Sequence, residues 1–403
     1  MKFNLNQFLL ALSDALDFVE IDVLGASSHH SKRVAYISLR LGELYKLNDK
    51  ELFDLCSFSI LHDNGLSEEA IVNETSKSSK QNKHSILEKY TQHCDIGEKN
   101  VIDFPFLTEH KNIIKYHHEN YNGSGFFGLK KDQIPLMSQI IALADTVDNL
   151  FHFENPTIEN REKIIQFINN NSGIYYNPLL VEKFNLLAKN TSFWLDLQST
   201  KLDHLVTEIF PNILIDISYD ELIKISSVFS HIIDSNSKFT GTHSSGLSQK
   251  AKIMAEYYNY DINKIKKLVI AANLHDIGKL AIPNSILDKN GKLDSTEFAI
   301  IKSHTYYTRQ ALEKISGFED ITNWASNHHE KLDGSGYPYG FDKDKLCFDS
   351  RLMGCLDMYQ ALTEDRPYRK GLGHKKTMEI LYDHAQKDLI DPKIVKDIDK
   401  VFA

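Results

Sequence analysis

Cysteine is scarce: Cys56, Cys94, Cys347 and Cys355 are the only four in 403 residues, with no CxxC pair and no dense spacing. That argues against a disulfide scaffold or a cysteine zinc site and fits a reducing, cytoplasmic setting. Long apolar runs are missing too, since no stretch approaches the roughly 18 to 20 uninterrupted apolar residues of a membrane span. The opening segment, MKFNLNQFLLALSDALDF, is broken by Asp14 and Asp17 and lacks a small-residue cleavage site. It reads as a core-facing helix rather than a signal peptide. Positive charge is in deficit, for 46 Lys and Arg against 55 Asp and Glu leave a formal net charge of -9. Broad attraction to double-stranded nucleic acid or anionic membrane is thereby excluded, and a phosphorylated ligand would need local cations. Period-2 alternation is also rare. Runs such as KIKKLVIAANLHDIG and STEFAIIKSHTYYTRQALEKI instead place apolar residues at i, i+3, i+4 and i+7, which predicts an all-α protein.

What is present is a repeat. The length suits two cores rather than one, and the chain matches itself at offsets of 211 to 213 residues. His30 pairs with His243, His62-Asp63 with His275-Asp276, His93 with His304, His117-His118 with His328-His329, and Asp145 with Asp357. The flanks agree: HHENYNGSG beside HHEKLDGSG, LHDNG beside LHDIG. Looking for such periodicity comes before reading any single motif. It predicts two tandem helical domains, residues 1–190 and 225–403, joined by a helical connector, 191–224, whose run FWLDLQSTKLDHLVTEIF is apolar-periodic.

Ten of the eighteen histidines fall in the repeated set, five per copy, and each copy adds two aspartates. Neutral imidazoles mixed with carboxylates suit borderline divalent transition metals, whereas calcium prefers oxygen throughout. The candidate ligands are His243, His275, Asp276, His304, His328, His329 and Asp357 in the second copy. His30, His62, Asp63, His93, His117, His118 and Asp145 form a second candidate site in the first.

From His243 to Arg369, the pieces HSSGLSQKA, LHDIGKLAIPNSILDKNGKL, IIKSH, HHEKLDGSGYPYG, RLMGCLDMYQAL and RPYRKG closely resemble the HD-GYP family of HD metal-dependent phosphohydrolases. The resemblance implies hydrolysis of cyclic di-GMP to linear pGpG, and onward to GMP, by a metal-activated hydroxide. Hydrolysis of 3′,3′-cyclic GMP-AMP, a slow cyclic-dinucleotide sensor acting through a partner protein, and hydrolysis of another phosphate ester are the alternatives. It also implies two divalent metals, iron or manganese preferred over nickel, cobalt or zinc. One would be held by His243, His275, Asp276 and Asp357, the other by His304, His328 and His329, with Asp276 bridging. Lys279 matches the family lysine that contacts the scissile phosphate, and Arg366 and Arg369 match residues that grip substrate phosphates, a task suited to guanidinium forks. Gly336 and Tyr337 belong to the loop that approaches the substrate.

Departures from the pattern sharpen the expectation. Phe239 stands where some members carry a glutamate that holds a third metal, so two metals are predicted. Gln360 replaces an aspartate that commonly follows the last ligand, and Thr308 replaces a glycine after IKSH. In the first copy Leu66 replaces the lysine, Phe126 and Phe127 replace the tyrosine and proline, Asn122 replaces aspartate, and nothing like RPYR follows Asp145. This copy is expected to bind metal, handle phosphate poorly and serve regulation, with another substrate or a structural metal role as alternatives. A homodimer is compatible with a duplicated, helically connected chain.

Overall fold

The computed structural model describes residues 1–24, 28–68, 91–109, 111–151, 157–235, 243–289, 291–365 and 370–403. It divides into two compact units, Lys2–Ile215 and Asp216–Ala403, the latter with Met1. The all-α expectation holds, for Lys2–Phe3 and Ile215–Asp216 are the only strands among the described residues. Within the expected connector, the helices Thr191–Asp196 and Leu202–Ile209 belong to the first unit, and the helix Tyr219–Ser235 opens near the start of the second.

In the first unit the helices Leu5–Leu24, His30–Leu44, Asp49–Leu61 and Leu136–Leu150 build the core, with Asp49–Leu61 buried on every side from Leu52 to Leu61. Phe8, Leu9, Leu12, Val34, Ile37, Phe53, Ile140 and Val147 have almost no contact with solvent. The start of Asp49–Leu61 is set by a capping box, in which the Asn48 side chain accepts from Glu51 N and the Glu51 carboxylate accepts from Asn48 N. Its end is His62.

The second unit repeats the plan. Asp261 caps the helix Ile262–Leu274 by accepting from Asn263 N and Lys264 N, and His275 closes it. A second capping box, Asp294 with Glu297, opens Ser295–Leu312. The two runs cited above as helical fall mostly in these helices, the first overrunning its end by four residues and the second by three. Each His-Asp pair therefore sits where a helix stops, one turn from free carbonyls.

Glycine stands two residues after each pair because the chain presses there against the helix that carries the next candidate ligand. A Cβ at Gly278 would collide with the carbonyl oxygen of His304, and one at Gly65 with that of His93.

Candidate metal centres

In five histidines the ring is locked from behind. Nδ1 donates to the carbonyl three residues earlier: His62 to Ser59 (2.9 Å), His117 to Ile114 (2.5 Å), His275 to Ala272 (2.8 Å), His304 to Ile301 (2.6 Å) and His328 to Ala325 (2.6 Å). With the proton held on Nδ1, the bare Nε2 lone pair faces inward, which is the tautomer a metal needs.

In the second unit these lone pairs converge on Asp276. Its carboxylate lies 3.0 Å from His275 Nε2, 3.4 Å from His304 Nε2 and 3.8 Å from His328 Nε2. Asp357 lies 2.9 Å from His243 Nε2, 3.9 Å from His275 Nε2 and 3.8 Å from His329 Nδ1. Six of the seven predicted ligands thus fall in two clusters, His243, His275 and Asp276, then His304, His328 and His329, and Asp357 joins them through the contacts just given. Asp276 Oδ1 and His275 Nε2 are buried without a hydrogen-bond partner. Such groups are costly unless something else satisfies them, and a divalent cation would satisfy both.

Electrostatics favours neutral rings at His304, His328 and His329 and an ionised carboxylate at Asp276. Burial pulls His304 down to about 3, and it likewise lowers His328 and His329. Burial alone would raise the Asp276 carboxyl, but the neighbouring His275 ring and Lys279 ammonium outweigh it and hold it well below the usual range. His243 behaves oppositely: burial would lower it, yet hydrogen bonds to Asp357 and Glu364 push it up to about 9.

Lys279 extends its ammonium to Asp276 Oδ2 at 2.5 Å, on the inner side of the turn that carries the His-Asp pair. Tyr337 lies with its ring centroid 4.9 Å from that of His329. Its loop is held by Glu330, whose carboxylate accepts from Tyr339 N (2.7 Å) and Phe341 N (3.0 Å). Gly336 is required there, since a Cβ would strike the Glu330 backbone. Arg366, Arg369 and Phe239 lie outside the described residues.

The first unit shows the same arrangement with a different surround. Asp63 lies 3.5 Å from His62 Nε2, 3.3 Å from His93 Nε2 and 3.4 Å from His117 Nε2, and Asp145 lies 3.3 Å from His30 Nε2. His118 completes the set, with its ring centroid 3.9 Å from that of His117. His62 Nε2, Asp63 Oδ1, His117 Nε2 and His118 Nε2 are buried without hydrogen-bond partners. Leu66 is fully buried and brings no charge, and the Phe126 ring faces His118 at 5.5 Å.

Glu364 and Asp148 escaped sequence reasoning, and Gln360 and Thr308 entered it only as departures from a pattern. Glu364 backs His243 at 2.9 Å through Nδ1, a role filled in the first unit by Asp148 behind His30 at 2.6 Å. Asp148 also pairs with Arg33 (2.5 Å), and the repeat puts Gly246 and Gln360 at the positions of Arg33 and Asp148. There the Gln360 amide packs on Gly246 and accepts from Lys250 Nζ at 2.6 Å. Thr308, fully buried, donates to the His275 carbonyl (2.9 Å) and accepts from Gly278 N (3.1 Å), bracing the His-Asp turn.

The model of the HD domain family matches this chain twice, over residues 21–178 and 227–394. The chain belongs to the HD domain family. The expected HD-GYP kinship stands as well. Among similar proteins, 3′3′-cGAMP-specific phosphodiesterase 3 of Vibrio cholerae is 30% identical, the alignment covering 97% of this chain and 93% of that one. The cyclic di-GMP phosphodiesterase response regulator RpfG of Xanthomonas campestris is 34% identical over 37% of this chain and 40% of its own length. A crystal structure of a cyclic GMP-AMP specific phosphodiesterase of V. cholerae (V-cGAP3) superposes with a TM-score of 0.70 at 27% identity, covering 100% of this chain and 98% of that one. No helix among the described residues is long and apolar enough to cross a membrane.

Proposed function

We propose that the second copy, residues 225–403, is a metal-dependent phosphodiesterase that opens cyclic di-GMP to linear pGpG and continues to GMP. The observation that carries this reading is Asp276, whose carboxylate is met by three imidazole Nε2 atoms and by the Lys279 ammonium. Two divalent metals, iron or manganese by preference, would be held by His243, His275, Asp276 and Asp357 and by His304, His328 and His329, with Asp276 shared. When bound, such a pair supplies Lewis-acid charge and a nucleophilic water at neutral pH.

This chain's own groups do the rest. Lys279 carries a fixed positive charge next to Asp276, where charge develops on a phosphoryl oxygen during in-line displacement. Arg366 and Arg369 would grip the substrate phosphates, answering the cation requirement of an acidic chain. Tyr337, on a loop fixed by Glu330, would seat the substrate against His329. A cavity of about 310 Å³ opens beside His329, Tyr337 and Asp357, with Leu346, Met358, Ala361 and Ile390 among its walls. Its mainly apolar lining suits the face of a nucleobase.

3′,3′-Cyclic GMP-AMP is the second reading, favoured by the full-length kinship to a phosphodiesterase named for that substrate. The first copy, residues 1–190, is assigned metal binding and regulation, and 191–224 the link between the copies; a homodimer is retained as its assembly. Purified protein loaded with manganese, or anaerobically with ferrous iron, should convert one labelled cyclic dinucleotide to its linear form, and competition by the other ranks the two. Binding without a linear product would overturn the enzymatic reading.

A further inference from the structure

Cys94 follows His93 on the helix Gln92–Asn100 and is fully buried. Its sulfur lies 3.5 Å from His93 Nε2, and the potential ligand atoms of His93, Cys94, His117 and His118 all lie within 4.8 Å of one another. One cysteine near a histidine means little. The independent observation is His117, 0% exposed, whose Nδ1 is engaged by the Ile114 carbonyl and whose Nε2, the atom left to face the cluster, has no hydrogen-bond partner; His118 Nε2 is buried without one as well. In the second unit the corresponding position is Thr305. Its hydroxyl is spent on the Lys302 carbonyl at 3.0 Å, and the cluster there contains only His304, His328 and His329.

We propose that Cys94 is a metal ligand of the first unit, so that the duplicated centres differ chemically: a sulfur-containing, zinc-preferring centre in the first copy and a nitrogen-oxygen centre in the second. Thiolate among imidazoles selects zinc over harder divalent ions, and three histidines with one cysteine make a four-ligand set. Such a set leaves no open position for substrate, which agrees with Leu66 in place of a phosphate-contacting lysine and with the Phe126 ring against His118 at 5.5 Å. A disulfide or metal site built from cysteines alone is excluded by their spacing; a mixed site is not. The proposal rests on the reading that the first copy binds metal.

The test uses the full chain stripped of metal and titrated with cobalt(II), which reports thiolate ligation by a sulfur-to-cobalt charge-transfer band in the near ultraviolet. Wild type should show the band, Cys94→Ala should lose it, and Cys347→Ala should keep it. X-ray absorption at the zinc edge of zinc-loaded wild type should show one sulfur neighbour, a readout that requires no variant to fold. Cobalt stoichiometry with and without His117→Ala/His118→Ala separates the two levels of the argument. If that double variant lowers the stoichiometry yet wild type has no thiolate band, the Cys94 proposal falls and metal binding by the first copy stands. If the double variant changes nothing and no sulfur is seen, both fall.

Discussion

Glu364 places a carboxylate oxygen 2.9 Å from Nδ1 of His243, opposite the ring nitrogen that faces Asp357. A carboxylate behind a metal-ligating imidazole fixes its orientation and raises its basicity, and losing such a partner typically costs about 10- to 100-fold in metal affinity. Glu364→Ala should weaken metal binding by the second unit in that range, and Glu364→Gln, which keeps an acceptor, by less. Isothermal titration with manganese checks this. Wild-type affinity in the alanine variant would remove Glu364 from the centre.

Lys279 should matter for turnover rather than for loading. Lys279→Ala is expected to lower kcat by about 100- to 1,000-fold, the usual cost of deleting one group that stabilises developing charge, while metal content by mass spectrometry stays at the wild-type level. Asp276→Asn should instead lose metal and activity together. Equal metal loss in both variants would make Lys279 a structural residue.

Thr308 should behave as a brace. Thr308→Val keeps the volume and leaves the His275 carbonyl and the Gly278 amide unsatisfied in a buried turn, which costs about 1–3 kcal/mol. For a unit of this size each kcal/mol lowers Tm by about 2–4 °C. Thr308→Ser should recover most of the loss in the same thermal melt, and an unchanged valine variant would sink the assignment.

Chelation should separate fold from function. The helices of each unit are closed over apolar cores, Phe53 and Ile140 in the first and Phe229 and Leu268 in the second. Removal of metal should therefore lower Tm, because ligand binding to the native state adds about 4 kcal/mol when the ligand is present at 1,000 times its Kd. The far-ultraviolet circular dichroism at 25 °C should nevertheless be retained. A coil spectrum after chelation would overturn this.

The sequence disclosed the candidate ligands because they recur, several as the unusual dipeptides His-Asp and His-His, at offsets of 211 to 213 residues. It disclosed the helices because their apolar spacing is clear. Glu364 stayed hidden because the repeat sets His152 opposite it, so comparing the copies gives no hint of a shared role. Gln360 and Thr308 read as departures from a family pattern. Only the neighbours give them meaning: Gln360 packs on Gly246 where Asp148 pairs with Arg33, and the first unit has Gly97 where the second has Thr308. There Asn64 steadies the turn instead, donating to the Leu61 carbonyl at 2.7 Å. Cys94 was hidden for the same reason as Glu364, since its counterpart is a threonine.

The five rings tied by Nδ1 to a carbonyl three residues back cannot swing without breaking a hydrogen bond to the backbone. Their rotational freedom is surrendered when the chain folds, long before an ion arrives. Capture is then limited by how fast the ion sheds its own water, and a departing ion leaves a mould rather than a tangle. Swapping one metal for another needs no unfolding. The supply of metal in the surroundings thereby becomes an input to the enzyme, read at sites already shaped to receive it.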